Sequence, residues 1–200
     1  MTVLISISAL KKGNTMQIVH RISERIEKFS VYKYNLKRSR GIRNDYQMTD
    51  GDLTYKRGSV RYLKAVQNLH LELFRAPLFN WLVWIYRFRA SQLMSVVVDK
   101  DDNLIAYDLF MFQPTEKDEK VIHELYVGVA HKYQDKGIGV KLRKYSAQCY
   151  DNGYLDGIST LAAYDNIKAL RTAQKAGFAI TKESAKPRAH YLFKYLTRRY

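Results

Sequence analysis

The stretch Gln134-Asp135-Lys136-Gly137-Ile138-Gly139 constrains this chain more than any other, because of what stands on either side of it. Upstream, Val-Ile-His-Glu-Leu-Tyr-Val-Gly-Val at 121–129 is rich in β-branched and aromatic residues and is expected to be a strand. Downstream, Val140, Leu142, Tyr145, Ala147 and Tyr150 recur at roughly helical spacing. A strand therefore passes through a turn holding two glycines straight into a helix. Glycine lets the backbone approach an anion closely. The first N–H groups of a helix, which lack intrahelical partners, would point at that anion with the helix dipole in support. Such a junction suits a pyrophosphate, and it also serves as an ordinary strand-to-helix turn. Its neighbours decide between the two.

Two hundred residues, 46% hydrophobic and 26% charged, fit one soluble α/β domain with a sizeable core. The formal net charge of +15 directs attention to anionic partners: a nucleotide cofactor, a nucleotide-linked substrate, nucleic acid or an acidic membrane. A solvated basic surface is the plain alternative. Cys149 is the sole cysteine, so no intramolecular disulfide forms, and its helical setting marks it as a packed apolar residue rather than a nucleophile. Cysteine usage of this kind fits the reducing cytoplasm. Residues 3–7 are too short for a secretory segment. The apolar stretch 71–86 contains Glu72, Arg75, Pro77 and Asn80, so no membrane span is expected.

Along the chain, Asn14-Thr15 caps an expected first helix with Val19, Ile22 and Ile26 on one face. Tyr32, Tyr34 and Leu36 alternate with Lys33 and Asn35 and read as a strand. Residues 37–58, basic and holding Gly41, Gly51 and Gly58, read as loops and short turns. A second helix over 60–74 ends at Pro77. Strands at 92–98 and 104–112 flank Asp101-Asp102-Asn103 as a hairpin, and 121–129 joins them. A helix from 137 to about 151 ends at Asn152-Gly153. Then come a strand at 157–162, a short helix at 166–175 closed by Gly177, and strands at 178–181 and 191–195. The order implies one mixed-sheet α/β domain over 1–200.

Two motifs in that order carry a resemblance. Val129-Ala130-His131-Lys132-Tyr133-Gln134-Asp135-Lys136-Gly137-Ile138-Gly139 resembles the acetyl-CoA signature of the GNAT superfamily of N-acetyltransferases, a strand-end Val followed by Arg/Gln-x-x-Gly-x-Gly/Ala. Asn166-Ile167-Lys168-Ala169 and then Lys175-Ala176-Gly177-Phe178 resemble its Asn-x-x-Ala…Lys-x-Gly-Phe tail. The resemblance covers 91–195 as an acyl-CoA-binding core, and 1–90 only by element order. It implies a mostly antiparallel sheet whose fourth and fifth strands, here 121–129 and 157–162, splay apart around the pantetheine arm, with a bulge near Gly128 opening the gap. It further implies that the backbone of Val127 and Val129 meets the pantetheine amides and that residues 134–139 hold the pyrophosphate, with Lys136 adding charge. Asn166 would bond the pantetheine arm or order the splay, a helix N-cap being its other reading, and Lys175 would approach the cofactor phosphates, a solvated helix lysine being its other reading. No metal is implied.

Acetyl transfer needs a base to take a proton from the amine. In several family members the residue eleven before the signature Gln is His or Glu acting as the base, and here it is His123, with Glu124 as the alternative. Strict alternation puts His123 on the face of Leu125, Val127 and Val129, and Glu124 on the other unless the strand bulges early. One departure stands out. The Tyr that the family often places seven residues after the Asn is Ala173, so the usual proton donor to the CoA thiolate is missing, with Tyr164, Tyr191 or solvent as substitutes.

The resemblance implies that the acceptor site is built largely from the segment between the first two strands, residues 37–90. Lys37, Arg38, Arg40, Arg43, Lys56, Arg57 and Arg61 there precede the aromatics Phe74, Phe79, Trp81, Trp84, Tyr86 and Phe88. Cations interleaved with aromatics suit a nucleotide-linked amino sugar, of the kind acylated in surface-polysaccharide synthesis. An aminoacyl-tRNA or basic-protein acceptor is the second reading, and a catalytically degenerate acyl-CoA- or nucleic-acid-binding protein the third. A dimer is compatible with the sequence.

Overall fold

The computed structural model describes residues 28–42, 46–116, 119–185 and 188–197. The helix expected after Asn14-Thr15, and Arg43, lie outside them. The elements run α1 (residues 28–38), β1 (Met48–Asp50), β2 (Leu53–Arg57), α2 (Leu63–Phe74), α3 (Asn80–Leu93), β3 (Met94–Val98), β4 (Leu104–Met111), β5 (Val121–Val129), α4 (Ile138–Tyr150), β6 (Gly157–Ala163), α5 (Ile167–Lys175), β7 (Ala179–Ala185) and β8 (Arg188–Tyr195). Eight strands form one sheet in the order β1-β2-β3-β4-β5-β6-β8-β7. Every neighbouring pair is antiparallel except β5 and β6. No described helix is long and apolar enough to cross a membrane.

The sheet carries helices on both faces. His70 of α2 hydrogen-bonds the Tyr107 hydroxyl on one side, while Ser146 of α4 donates to Asp108 on the other. Beneath α4, Ile138, Leu142, Tyr145 and Cys149 bury against Tyr55, Val97 and Ile105. Burial pushes the Cys149 thiol pKa up, in keeping with a packing role.

Three expectations change. Residues 32–36 are not a strand but the middle of α1. The residues that bury there are Asn35 and Ser39, a helical i, i+4 pair, not the alternating apolar set. Asn35 behaves like a strand partner through its side chain: its amide donates to the Phe112 carbonyl at 2.9 Å and its Oδ1 accepts the Phe112 N–H at 2.7 Å. Residues 48–57, expected as loop, form the β1–β2 hairpin, with Gly51 at φ +59 in its turn. A helix unforeseen in the aromatic block, α3, buries Leu82, Ile85, Tyr86, Ala90 and Leu93 at three- and four-residue spacing.

The first connection between strands that carries helices is therefore β2 to β3, and the segment between them is 58–93. Lys37, Arg38 and Arg40 fall outside it, on α1 and the turn that follows.

Pairing of β5 with β6 runs from Val121↔Gly157 to Glu124↔Thr160 and stops, while β5 continues to Val129 and β6 to Ala163. The strands part there, as expected of the family's fourth and fifth strands. The bulge is not near Gly128. Leu109 pairs Tyr126 and Phe110 pairs Glu124, so Leu125 is the extra residue. Gly128 has a different reason to be glycine: a Cβ there would lie 2.5 Å from the Tyr107 ring and 2.9 Å from Leu73.

The bulge at Leu125 reverses the facing expected from strict alternation. His123 pairs Met111 and shares the α2 side with Tyr126. Glu124 pairs Phe110 and shares the α4 side with Val127.

Candidate active site

Where β5 and β6 part, a cavity of about 690 Å3 opens between β5, the N-terminus of α4 and α5, a size common for ligand sites. Val127, Gly128 and Val129 form one wall, Gln134, Asp135 and Gly137 to Gly139 the turn, and Asn166 and Lys175 the opposite rim. The Ala130 N–H bonds the Ile105 carbonyl on β4. Amides alternate in direction along a strand, so those of Val127 and Val129 aim at the gap. Within α4 the first helical bond runs from Lys141 N–H to the Gly137 carbonyl. The amides of Ile138, Gly139 and Val140 therefore have no i−4 acceptor inside the helix.

The turn is held from within. Gln134 donates to the Val129 carbonyl at 3.0 Å and accepts from Lys168 at 3.1 Å, and Lys168 also pairs Asp135 at 2.9 Å. Asp135 and Gly137 both adopt positive φ, +60 and +76. Gly137 is thus explained by its backbone alone. Gly139 is not: a Cβ there would meet Val129 at 3.6 Å and Thr172 at 3.5 Å, ordinary contacts. Protein packing does not require glycine at 139, whereas an anion drawn against the helix N-terminus would. Asn166 accepts the Ala169 N–H at 3.0 Å as the N-cap of α5, and it also lines the cavity.

Lys136 does not line the cavity; its ammonium sits over the Tyr133 ring at 5.4 Å. The cations that do are Lys168, Arg171 and Lys175 of α5, with the buried Arg143 behind. Lys168 and Arg171 were not singled out from sequence, although their i, i+3, i+7 spacing with Lys175 puts all three on one helical stripe.

The two base candidates occupy different surroundings, and neither lines the cavity. Glu124 is 2% exposed and forms a two-point ion pair with Arg143, at 3.1 and 2.8 Å, and Arg143 also donates to the Ala169 carbonyl. That carboxylate is committed to tying β5 to α4 and α5. His123 lies across the sheet. Its Nδ1 is 2.8 Å from the Ser159 hydroxyl and 4.0 Å from Glu116 Oε1, and burial lowers its pKa to about 4. At neutral pH the ring is uncharged. Ala173 is fully buried. Of the substitute tyrosines, Tyr164 approaches Glu183 at 3.4 Å, and Tyr191 donates to Glu116 at 2.5 Å beside His123. No group of His, Cys, Asp or Glu suited to a metal occurs among the described residues.

Residues 63–178 match the family described as Acetyltransferase (GNAT) family. The chain belongs to that family and is an N-acetyltransferase. Among solved structures, the spermidine N-acetyltransferase of Vibrio cholerae superposes with a TM-score of 0.58 at 17% identity, over 73% of this chain and 95% of that one. The ribosomal-protein-S5-alanine acetyltransferase of Vibrio fischeri gives 0.59 at 15% identity, over 76% and 97%. The acetyltransferase complex NatC, bound to Gag peptide and CoA, gives 0.61 at 19% identity, over 73% and 99%. At such identities these relatives share the fold. No curated protein sequence matches the chain.

Proposed function

We propose that this N-acetyltransferase holds acetyl-CoA in the β5–α4–α5 cavity and acetylates an amine that reaches the parted strands from the α2 side of the sheet. The observation that carries the cofactor half is Gly139, a glycine that neither backbone conformation nor neighbouring side chains demand, on the first turn of a helix aimed at the cavity. The pyrophosphate would rest on the amides of 137 to 140 with Lys168, Arg171 and Lys175 around it, and the pantetheine arm would run along the inward amides of Val127 and Val129. Acetyl-CoA supplies a thioester: the amine nitrogen bonds the acetyl carbon, the carbon–sulfur bond breaks, CoA leaves as thiolate, and the nitrogen gives up a proton.

We assign the taking of that proton to His123. Its ring is neutral, oriented by Ser159, and on the face away from the cofactor side chains. Glu124 does not compete, because Arg143 holds it on the other face. With Ala173 at the place of the family's tyrosine, the thiolate takes its proton from solvent.

For the acceptor we favour an amine without a diphosphate. Several of the cations on which the nucleotide-linked amino sugar rested are engaged within the fold. Arg38 donates to the Glu119 carbonyl, Arg57 is buried among Ser91, Ser95 and Tyr150, and Lys56 and Arg61 pair with Asp102. The net charge of +15 keeps that sugar as the second reading. Proteins of this fold include acetyltransferases of spermidine and of a ribosomal-protein alanine, and one bound to a peptide and CoA, none of these partners carrying a nucleotide-linked sugar. Calorimetry with acetyl-CoA and mass spectrometry of a metabolite pool supplied with labelled acetyl-CoA test both halves. Label on polyamines or peptides supports the choice, label on amino sugar nucleotides reverses it, and absence of acetyl-CoA binding sinks the cofactor half.

A further inference from the structure

α3 buries Leu82, Ile85, Tyr86, Ala90 and Leu93 in the core, yet its outward face is not polar. Trp84 and Phe88, on the side away from those residues, are 51% and 53% exposed. Val60, 56% exposed on the preceding turn, borders Phe88 and Arg87 in a shallow depression. A helix that is apolar all round is normally covered all round, and clustered exposed aromatics mark contact surfaces. The charge on this stretch has one sign. No Asp or Glu occurs between Glu72 and Asp99, while Arg75 and Arg87 are exposed. Arg87 lies over the Trp84 ring at 4.8 Å. The Trp84 and Phe88 rings stack on one another, with centroids 6.3 Å apart and planes 17° apart.

We propose that this outward face of α3 docks the enzyme on an anionic lipid surface, with Val60, Trp84 and Phe88 entering the headgroup layer and Arg87 meeting lipid phosphate. Three observations favour that occupant. Pairing the face with its own copy would set arginine against arginine, with no carboxylate on the stretch to offset it. Single-stranded nucleic acid needs free ring faces for its bases, and here the rings cover one another and Arg87 covers Trp84. A lipid interface needs neither: tryptophan and arginine side by side suit the boundary between headgroups and acyl chains. The net charge of +15 adds long-range attraction to an acidic bilayer. No described helix is long and apolar enough to span one, so α3 lies on the surface and not through it.

The test uses the full chain and exploits an accident of composition: both tryptophans, Trp81 and Trp84, stand on α3, so intrinsic fluorescence reports this helix alone. Vesicles of phosphatidylcholine mixed with phosphatidylserine should shift the emission to the blue and sediment with the protein, and phosphatidylcholine alone should do neither. Arg87→Glu should weaken the acidic vesicles about tenfold, and Phe88→Ser by a similar factor. Acetyl-CoA affinity by calorimetry and thermal unfolding of both variants should match wild type, which separates loss of docking from misfolding. No blue shift with acidic vesicles overturns the proposal. So does equal sedimentation of the wild type and both variants, which would assign attraction to the diffuse basic charge. A dimer in ultracentrifugation that Phe88→Ser dissolves would give the face to a second copy. Vesicle-free tryptophans shielded from acrylamide would give it to the chain's own residues. Either result replaces the lipid.

Discussion

His123 and Glu124 are adjacent in sequence, both nearly inaccessible, and chemically far apart. On the α4 side Glu124 is locked to Arg143 at two points, near Asp108, whose carboxyl is held well above its ordinary pKa by burial and by Glu124. On the α2 side His123 is neutral, with Ser159, Glu116 and Tyr191 around it. A single extra residue, Leu125, sets where each points relative to the rest of β5. The comparison teaches that strand parity alone does not assign a role: one side became a structural ion pair and the other a buried, uncharged imidazole. It breaks most directly at Arg143. Arg143→Met would leave Glu124 buried without its cation and should cost about 3–5 kcal/mol of stability, read by urea unfolding. Adding Glu124→Gln to that variant should recover much of the loss. A stable single variant would mean that the α4 side is not the structural one.

The His123 side gives the next two effects. The folded ring titrates near 4, against about 6.5 for an unfolded histidine, so between those values the folded state binds fewer protons than the unfolded one. Stability from this site is complete above about pH 6.5 and is lost as pH falls towards 4, by up to about 3 kcal/mol. His70, also lowered by burial, acts in the same direction, so the measurement is the difference between wild type and His123→Asn at pH 7 and pH 4.5. Equal pH dependence in the two would show that the ring is not held neutral. For activity, His123→Ala should lower turnover about a hundredfold while calorimetric CoA affinity holds. Near-full turnover would pass the proton to water and leave His123 a packing residue.

Legibility from sequence follows the same divide. From 104 onward, nearly every element stands where the pattern put it, because each carries its own local signal: β-branched runs for strands, the Gly137/Gly139 turn, Asn166 at a helix start. Before 94 those signals conflict. Tyr32, Tyr34 and Leu36 alternate like a strand, but burial of Asn35 and Ser39, bonded to Phe112 and to the helix backbone, makes a helix. The helical spacing of Leu82, Ile85, Tyr86 and Leu93 was present and was masked by the exposed Trp84 and Phe88 between them. Glu116 had no motif at all. It reaches His123 only through a turn between two strands, and nothing local in Pro114-Thr115-Glu116 announces that contact.

The smallest expected effects lie within the signature turn, and they separate backbone need from ligand need. Gly137 has φ +76 and open space around its Cβ position, so Gly137→Ala should cost about 1 kcal/mol of stability through the left-handed conformation alone. Gly139→Ala has helical backbone and only ordinary contacts, so its stability should be unchanged or slightly raised, alanine being the better helix former. If the amides of this turn take the pyrophosphate, the order reverses for acetyl-CoA. Gly139→Ala should weaken binding several-fold, because its methyl projects between Val129 and Thr172 into the cavity. Gly137→Ala should weaken it less, once the fold is saturated at low temperature. Calorimetry and thermal melts on the two variants give four numbers. If affinity tracked stability in both variants, the glycines would serve the turn and not the phosphate, and Gly139 would no longer support the cofactor site.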